Sequence, residues 1–258
     1  MGPTALITGA SSGIGLELAK RFARDGCGVI LVARESERLR QAALDVGQLS
    51  GAPPQVIACD LADPEAAAVI YAGLAGNPVE YLVNNAGFGL GGPFSTNEAK
   101  TELEMIQVNI TSLVHLTKLI LPGMLARKSG RILNVASTAA FQPGPLMAVY
   151  YASKAFVLSF SEAIAEELVG SGVTVTALCP GPTASDFQRR AAIENVKLVK
   201  NKSIGMMTAE EVADAGYQGM LKGKVIVIPG LLNKLGVQSL RLGPRSIIRK
   251  AAKKLQES

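Results

Sequence analysis

TALITGASSGIG, residues 4–15, decides the fold. A short apolar run is followed by a glycine-rich turn and then by the start of a helical pattern. Gly9, Gly13 and Gly15 let the backbone turn tightly and let a pyrophosphate approach the helix N-terminus. Ser11, Ser12 and Ile14 complete the loop, and the two serines offer hydroxyl donors. A glycine-rich turn without a ligand is the plainer reading of these residues. Their place between a strand and a helix, near the start of an α/β chain, favours a nucleotide.

The same alternation continues along the chain. VILVA (29–33), VIAC (56–59), YLVNN (81–85), ILNVAS (132–137), VTVTALC (173–179) and VIVI (225–228) read as strands. They are apolar without strict alternation, as strands buried on both faces are. Helical stretches lie near 13–25, 35–47, 64–75, 97–127, 150–169 and 208–222. Asp63 ahead of Pro64, and Thr208 ahead of Glu210 and Glu211, are start signals. Crossovers of this length predict a doubly wound parallel sheet of about seven strands with helices on both faces. The expected organisation is one domain over residues 1–231, with irregular stretches at 86–97 and 180–207. Residues 232–258 form a basic extension.

The chain of 258 residues is 48% hydrophobic and 18% charged, as a well-packed globular protein is. No 18-residue apolar run predicts a membrane span, and the N-terminus reads as a strand rather than a secretion signal. Cys27, Cys59 and Cys179 fall in or beside apolar runs and read as reduced core residues, which predicts a cytoplasmic protein. One histidine, His115, and no CxxC predict no metal site. The net charge of +5 is C-terminal: residues 232–258 hold seven Lys and Arg against Glu257 alone. The main domain therefore shows no nucleic-acid signature.

The end of the second strand selects the cofactor. An NAD site places an acid there for the ribose 2′-hydroxyl. Here Ala33 holds that position and Arg34 follows, a residue able to bind a 2′-phosphate with charge-assisted hydrogen bonds. NADP(H) is expected in preference to NAD(H). Glu35 beside Arg34 is a competing partner.

TGASSGIG, NNAG (84–87), Ser137, Tyr150-x-x-x-Lys154 and Pro180-Gly181, in this order and at these spacings, resemble the short-chain dehydrogenase/reductase family, in its single-domain Rossmann-type branch. The resemblance covers nearly the whole chain. It implies an oxidoreductase that interconverts a ketone or aldehyde and its alcohol by hydride transfer. It also implies Asn109, Ser137, Tyr150 and Lys154 as the catalytic set. Tyr150 would be the acid/base, Ser137 would hold the substrate oxygen, and Asn109 would hold a water in a relay with Lys154. Lys154 would also bind the nicotinamide ribose. Asp60 and Leu61 match the adenine-side segment, Asn85, Ala86 and Gly87 line the cofactor, and Pro180, Gly181 and Thr183 follow the sixth strand. The usual threonine after Pro-Gly is displaced: Thr183 and Ser185 both stand near its place.

Four residues is about one helical turn, so Tyr150 and Lys154 share a face, and a nearby ammonium favours phenolate. Tyr151 is three residues from Lys154 and also meets it, so spacing alone does not choose between the phenols. The family pattern selects Tyr150 and leaves Tyr151 as a packing or cofactor-side residue. The family also implies a homodimer or homotetramer built on the 97–127 and 150–169 helices.

The substrate is expected to be a small carbonyl or alcohol. The loop at about 182–207, with Phe187, Arg189, Arg190 and the pair Met206 and Met207, suggests a partly apolar pocket. From Pro244, Ile247, Ile248, Ala251 and Leu255 share a roughly apolar face, with Arg249, Lys250, Lys253 and Lys254 elsewhere. Packing of this face on the body or on a second subunit is preferred to a membrane surface because it is short. Two other readings stand beside the reductase: a non-enzymatic NADP-binding sensor or scaffold, and a membrane-associated reductase of lipid-like carbonyls.

Overall fold

The computed structural model describes residues 2–184, 186–191, 193, 196, 206–240 and 243–257. Seven strands form one parallel sheet in the order β3-β2-β1-β4-β5-β6-β9: β1 Thr4–Thr8, β2 Gly28–Ala33, β3 Gln55–Ala58, β4 Tyr81–Asn84, β5 Gly130–Val135, β6 Val173–Leu178 and β9 Ile226–Val227. The chain winds outward through β2 and β3, returns to β4 beside β1, and winds the other way. The crevice at this reversal is where α/β sheets bind ligands.

Helices cover both faces. On one, Leu18 and Phe22 of α1 (Gly13–Arg24), Leu39 and Val46 of α2 (Glu37–Ser50) and Val212 and Met220 of a helix at Ala209–Leu221 pack with Ile7, Leu31 and Leu133 of the sheet. On the other, Ile70 of α3 (Ala66–Gly73) and Leu116, Ile120 and Met124 of α5 (Ser112–Arg127) pack with Leu6, Leu82 and Ile132. Val157 and Leu158 of α6 (Ala148–Glu167) close the same side beside Ala136 and Ala177. Burying a Leu or Ile side chain fully contributes about 1.5–3 kcal/mol, so these paired faces dominate the driving force.

Between α4 (Ala99–Ile106) and α5 the helix does not break but widens into a π turn, Gln107–Thr111. The continuous run Ala99–Arg127 is long enough, with a window of mean hydropathy 1.3, to cross a membrane, contrary to the expectation that no segment is. Its apolar side faces the sheet through Leu116, Ile120 and Met124, which accounts for its composition.

Beyond β6, a two-residue strand β7 (Thr183–Ala184) pairs in parallel with β8 (Met207–Thr208), and α7 (Phe187–Arg190) is a single turn. The Ala209–Leu221 helix, α8, starts on a capping box. Thr208 Oγ1 accepts the Glu211 N–H at 3.1 Å, and Glu211 accepts the Thr208 N–H at 2.8 Å. Two helices end the chain, α9 (Leu231–Leu240) and α10 (Arg245–Gln256).

Two expectations need correcting. VIAC is not buried on both faces: β3 is the sheet's edge, with Gln55, Val56 and Ala58 exposed and Ile57 alone turned towards α3. In α10 the stripe against the body is half-buried Ile248 with buried Ala252 and Gln256, so Ile247, Ala251 and Leu255 are left outside. These three docked positions are one turn apart and so form a single stripe along the helix. The α9 helix had no counterpart in the sequence reading.

Candidate active site

Each of the first six sheet strands delivers a predicted site residue at its carboxyl end. Gly9 follows β1, Arg34 follows β2, Asp60 follows β3, Asn85 follows β4, Ser137 follows β5 and Pro180-Gly181 follows β6. Gly9 and Gly13 take left-handed φ values of 66° and 56°, where a side chain is strained. A Cβ on Gly15 would lie 2.4 Å from Asn85 Nδ2 and 2.5 Å from the Gly9 carbonyl, so nothing larger fits. Asn85 Nδ2 donates to Thr8 O at 2.9 Å, and the Asn85 and Ala86 N–H groups both donate to Thr8 Oγ1 at 3.0 Å. The turn after β4 is thereby stitched to the glycine loop. The cradle, with Ser11, Ser12 and Ile14 around the start of α1, fits a pyrophosphate.

Arg34 is exposed, and Glu35 turns away from it to pair with Arg40, as Glu37 also does. Among the described residues no acid forms an ion pair with Arg34. Asp60 Oδ1 accepts the Ala62 N–H at 3.0 Å, and Ser112 Oγ donates to Leu61 O at 2.8 Å, which fixes the Asp60-Leu61 turn against α5. Asp186 bridges Arg189 at 3.1 Å and Arg38 of α2. This exposed pair ties the segment after β6 to the nucleotide half, and such pairs contribute at most about 1 kcal/mol.

At the reacting end, Ser137 leaves β5 and caps the 3-10 turn Thr138–Phe141, its Oγ accepting the Ala139 N–H at 3.1 Å. Its hydroxyl donates towards Pro180 O at 3.4 Å, and the Thr138 N–H reaches the same carbonyl at 2.8 Å, so the serine and the Pro-Gly turn share a support. Ser137 also hydrogen-bonds the phenol of Tyr150. Lys154 is buried, and its Nζ donates to Val135 O at 2.7 Å and stands 5.9 Å from the centre of the Tyr150 ring. A Cβ on Gly87 would lie 3.0 Å from Asn109 Oδ1 and 3.3 Å from Lys154 Nζ, so these three residues meet at one point.

The phenol differs from the spacing argument. Burial pushes Tyr150 above its ordinary value, and the Ser137 hydrogen bond only partly offsets it. Burial also lowers Lys154 to about 8. The ammonium stands beside the ring with its hydrogen bond on the Val135 carbonyl, so desolvation outweighs its pull on the phenol. Asn109 differs too. Its Nδ2 donates to Phe88 O and Ser153 Oγ, each at 3.0 Å, and its Oδ1 accepts the Phe88 N–H at 3.1 Å. It sits in the π turn and holds the turn after Gly87, a place where such widened turns often serve function.

Ser153, Gly89, Met147, Asn233 and Gln256 went unseen in the sequence, and they meet residues that it did name. Ser153, buried, accepts from Asn109 and donates to Tyr150 O at 2.7 Å, linking the π turn to α6; its only signal was a hydroxyl in an apolar helix. Met147, Phe187 and Tyr150 crowd Gly89, whose Cβ would meet them at 3.1, 2.9 and 3.2 Å. Tyr151 is buried over Gly144, and its hydroxyl accepts Gln256 Nε2 at 2.7 Å. Tyr151 is therefore a packing residue, and Gln256, which carried no local signal, ties the last turn of the chain to it. Asn233 of α9 fills the space over Gly181. Thr183 is buried and donates to Gly181 O at 3.0 Å, while Ser185 lies outside the described residues, as does half of the 182–207 loop.

Residues 3–195 match the short chain dehydrogenase family model. A very-long-chain 3-oxoacyl-CoA reductase of Anas platyrhynchos is 39% identical over 197 residues, covering 73% of this chain and 62% of that protein. This chain thus spans less than two thirds of that relative's length. A ketoacyl reductase of Nostoc sp. is 33% identical over 258 residues, covering 96% of this chain and 88% of that one. Among solved structures, a short-chain dehydrogenase from Sphingobium yanoikuyae in complex with NADPH superposes with a TM-score of 0.83 at 34% identity, covering 97% of this chain and 98% of that one.

Proposed function

We propose that this chain, which belongs to the short-chain dehydrogenase family and is an oxidoreductase of carbonyl and alcohol groups, uses NADPH to reduce a partly apolar ketone, with Tyr150 as the acid. The observation that carries the reading is the meeting of Tyr150, Ser137, Lys154 and Asn109 at the carboxyl end of β5, above the glycine cradle. Bound NADPH supplies the hydride; the chain's own residues handle the proton and the charge. Gly9, Gly13 and Gly15 let the diphosphate approach, and Arg34, with its neighbour Glu35 committed to Arg40, is the residue for the 2′-phosphate. The NADPH of the Sphingobium relative supports that choice.

Tyr150 donates its phenolic proton to the carbonyl oxygen, and the same group as phenolate accepts the alcohol proton in the reverse direction. Its burial keeps the phenol protonated at neutral pH, the form that reduction needs. Ser137 hydrogen-bonds the substrate oxygen and stabilises the charge developing there. Lys154 places a positive charge beside the phenol, and Asn109 and Ser153 hold that lysine's surroundings rigid. Met147, Phe187 and Tyr151 make the substrate side apolar, in keeping with relatives that act on 3-oxoacyl and ketoacyl groups. Phe156, exposed on α6 and stacked on half-buried Phe160, supports assembly with a second copy.

The test follows NADPH absorbance with 3-oxoacyl thioesters, ketones and aldehydes in wild type, Tyr150→Phe and Tyr151→Phe. Turnover is expected to fall by about 10²–10⁴-fold in Tyr150→Phe and by only a few-fold in Tyr151→Phe. Loss confined to Tyr151→Phe would overturn the assignment. Silence from wild type with NADPH bound would return the sensor reading.

A further inference from the structure

Residues 231–240 and 243–257 bring two features together. In α9, Leu231, Leu232 and Leu235 are 72%, 62% and 57% exposed, and they share one side while Val237 faces inward. In α10, Ile247 and Leu255 are 62% and 40% exposed, and with Ala251 they form an i, i+4, i+8 row on the flank of the docked stripe. The remaining arc of α10 carries Arg245, Arg249, Lys250, Lys253 and Lys254, all exposed, and Lys234 adds to them from α9. None of these cations forms an ion pair among the described residues.

We propose that α9 and α10 form a docking surface for an anionic lipid bilayer. A second copy of the chain is the poorer occupant, because residues 232–258 carry seven basic side chains against Glu257 alone and two such surfaces repel. Aliphatic side chains flanked by a cationic arc on one short helix are the arrangement that lies in a headgroup plane, with the apolar row below and the ammonium groups at the phosphates. The fold adds what a free amphipathic tail lacks. Ile248, Ala252 and Gln256 hold α10 on the body, so the row is presented in a fixed attitude and is not free to turn inward. The same anchor places the surface beside Tyr151, next to the reacting phenol, whose ring it meets at 6.0 Å. An apolar substrate dissolved in the bilayer would then lie at the pocket's side. The docking itself is independent of the substrate reading.

The test is co-sedimentation of the full-length protein with vesicles of phosphatidylcholine alone or mixed with phosphatidylglycerol. Binding is expected only to the mixed vesicles and weakens as salt is raised. The exposed pairs Leu231→Ser with Leu235→Ser, and Ile247→Ser with Leu255→Ser, should each weaken it by about tenfold, as should Arg249→Glu with Lys253→Glu. NADPH binding in solution stays unchanged in all three, which separates lost docking from lost folding. No binding, equal binding to both vesicle types, or binding that survives all three pairs would overturn the proposal. So would lipid-free self-association that the serine variants abolish, since it would show the occupant to be a second copy.

Discussion

The nucleotide half and the substrate half of the cleft are built by different means. Around Gly9, Gly13 and Gly15 the work is done by backbone: two left-handed glycines, a contact too close for any Cβ, and Thr8 joined to Asn85 and Ala86. Each element lies within one strand–turn–helix unit or one turn of its neighbour strand. Around Tyr150 the work is done by side chains, several from distant parts of the chain: Met147 and Phe187 over Gly89 and, 105 positions from its partner, Gln256 on Tyr151. The first half has little room to vary. The second can change its lining without touching the first, which is how one scaffold accepts different carbonyls.

Three measurements press on this contrast. The largest effect is expected from Arg34→Ala, which should weaken NADPH more than NADH by about 1.5–3 kcal/mol, or about ten- to a hundredfold in Kd measured by fluorescence titration. Equal losses for both cofactors would show that the nucleotide half does not discriminate through this residue. Next is the pH dependence of reduction. Lys154, lowered by burial to about 8, is charged below that value and neutral above it, while burial keeps Tyr150 protonated well beyond it. The reduction rate should therefore fall by up to tenfold per unit above about pH 8, and the limb should leave the accessible range in Lys154→Arg. A limb that persists in that variant belongs to another group. The smallest effect is expected from Gln256→Leu, which removes one buried hydrogen bond of about 1 kcal/mol. The KM for a bulky ketone should change a few-fold with NADPH affinity intact, and Gln256→Glu should restore part of it. A double-mutant cycle with Tyr151→Phe should show that the two changes do not add. An equal change in NADPH affinity would mean that the two halves are not separable.

What could be read from the sequence follows the same division. The glycine loop, Ala33-Arg34, the Asn-Asn-Ala-Gly segment and the Tyr-x-x-x-Lys pair are local, so spacing placed them on the right elements and the sheet gathered them. The strand at 56–59 was found, but its exposure was not, because edge position is a property of the assembled sheet and not of four apolar residues. Spacing put the lysine and tyrosine on one face. It did not show that a carbonyl from β5 would take the ammonium's hydrogen bond or that burial would raise the phenol. The tail shows the limit most plainly. Its hydrophobic pattern pointed to Ile247, Ile248, Ala251 and Leu255 as the packed side, whereas Ile248 alone of these docks, with Ala252 and the hydrogen-bonded Gln256.

The π turn at Gln107–Thr111 makes the helix Ala99–Arg127 one residue out of step with itself. A helix that has gained a residue in this way has a built-in route back. Removing one residue there would let the hydrogen bonds close in the ordinary ladder and leave Leu116, Ile120 and Met124 on the sheet. It would also swing the segment before them through about a quarter turn. Asn109 would leave Phe88 and Ser153, and the support of the lysine would go with it. The irregularity therefore acts as a counted offset between two lengths of one rod, so that the front length can aim at the chemistry while the rear length stays seated in the core.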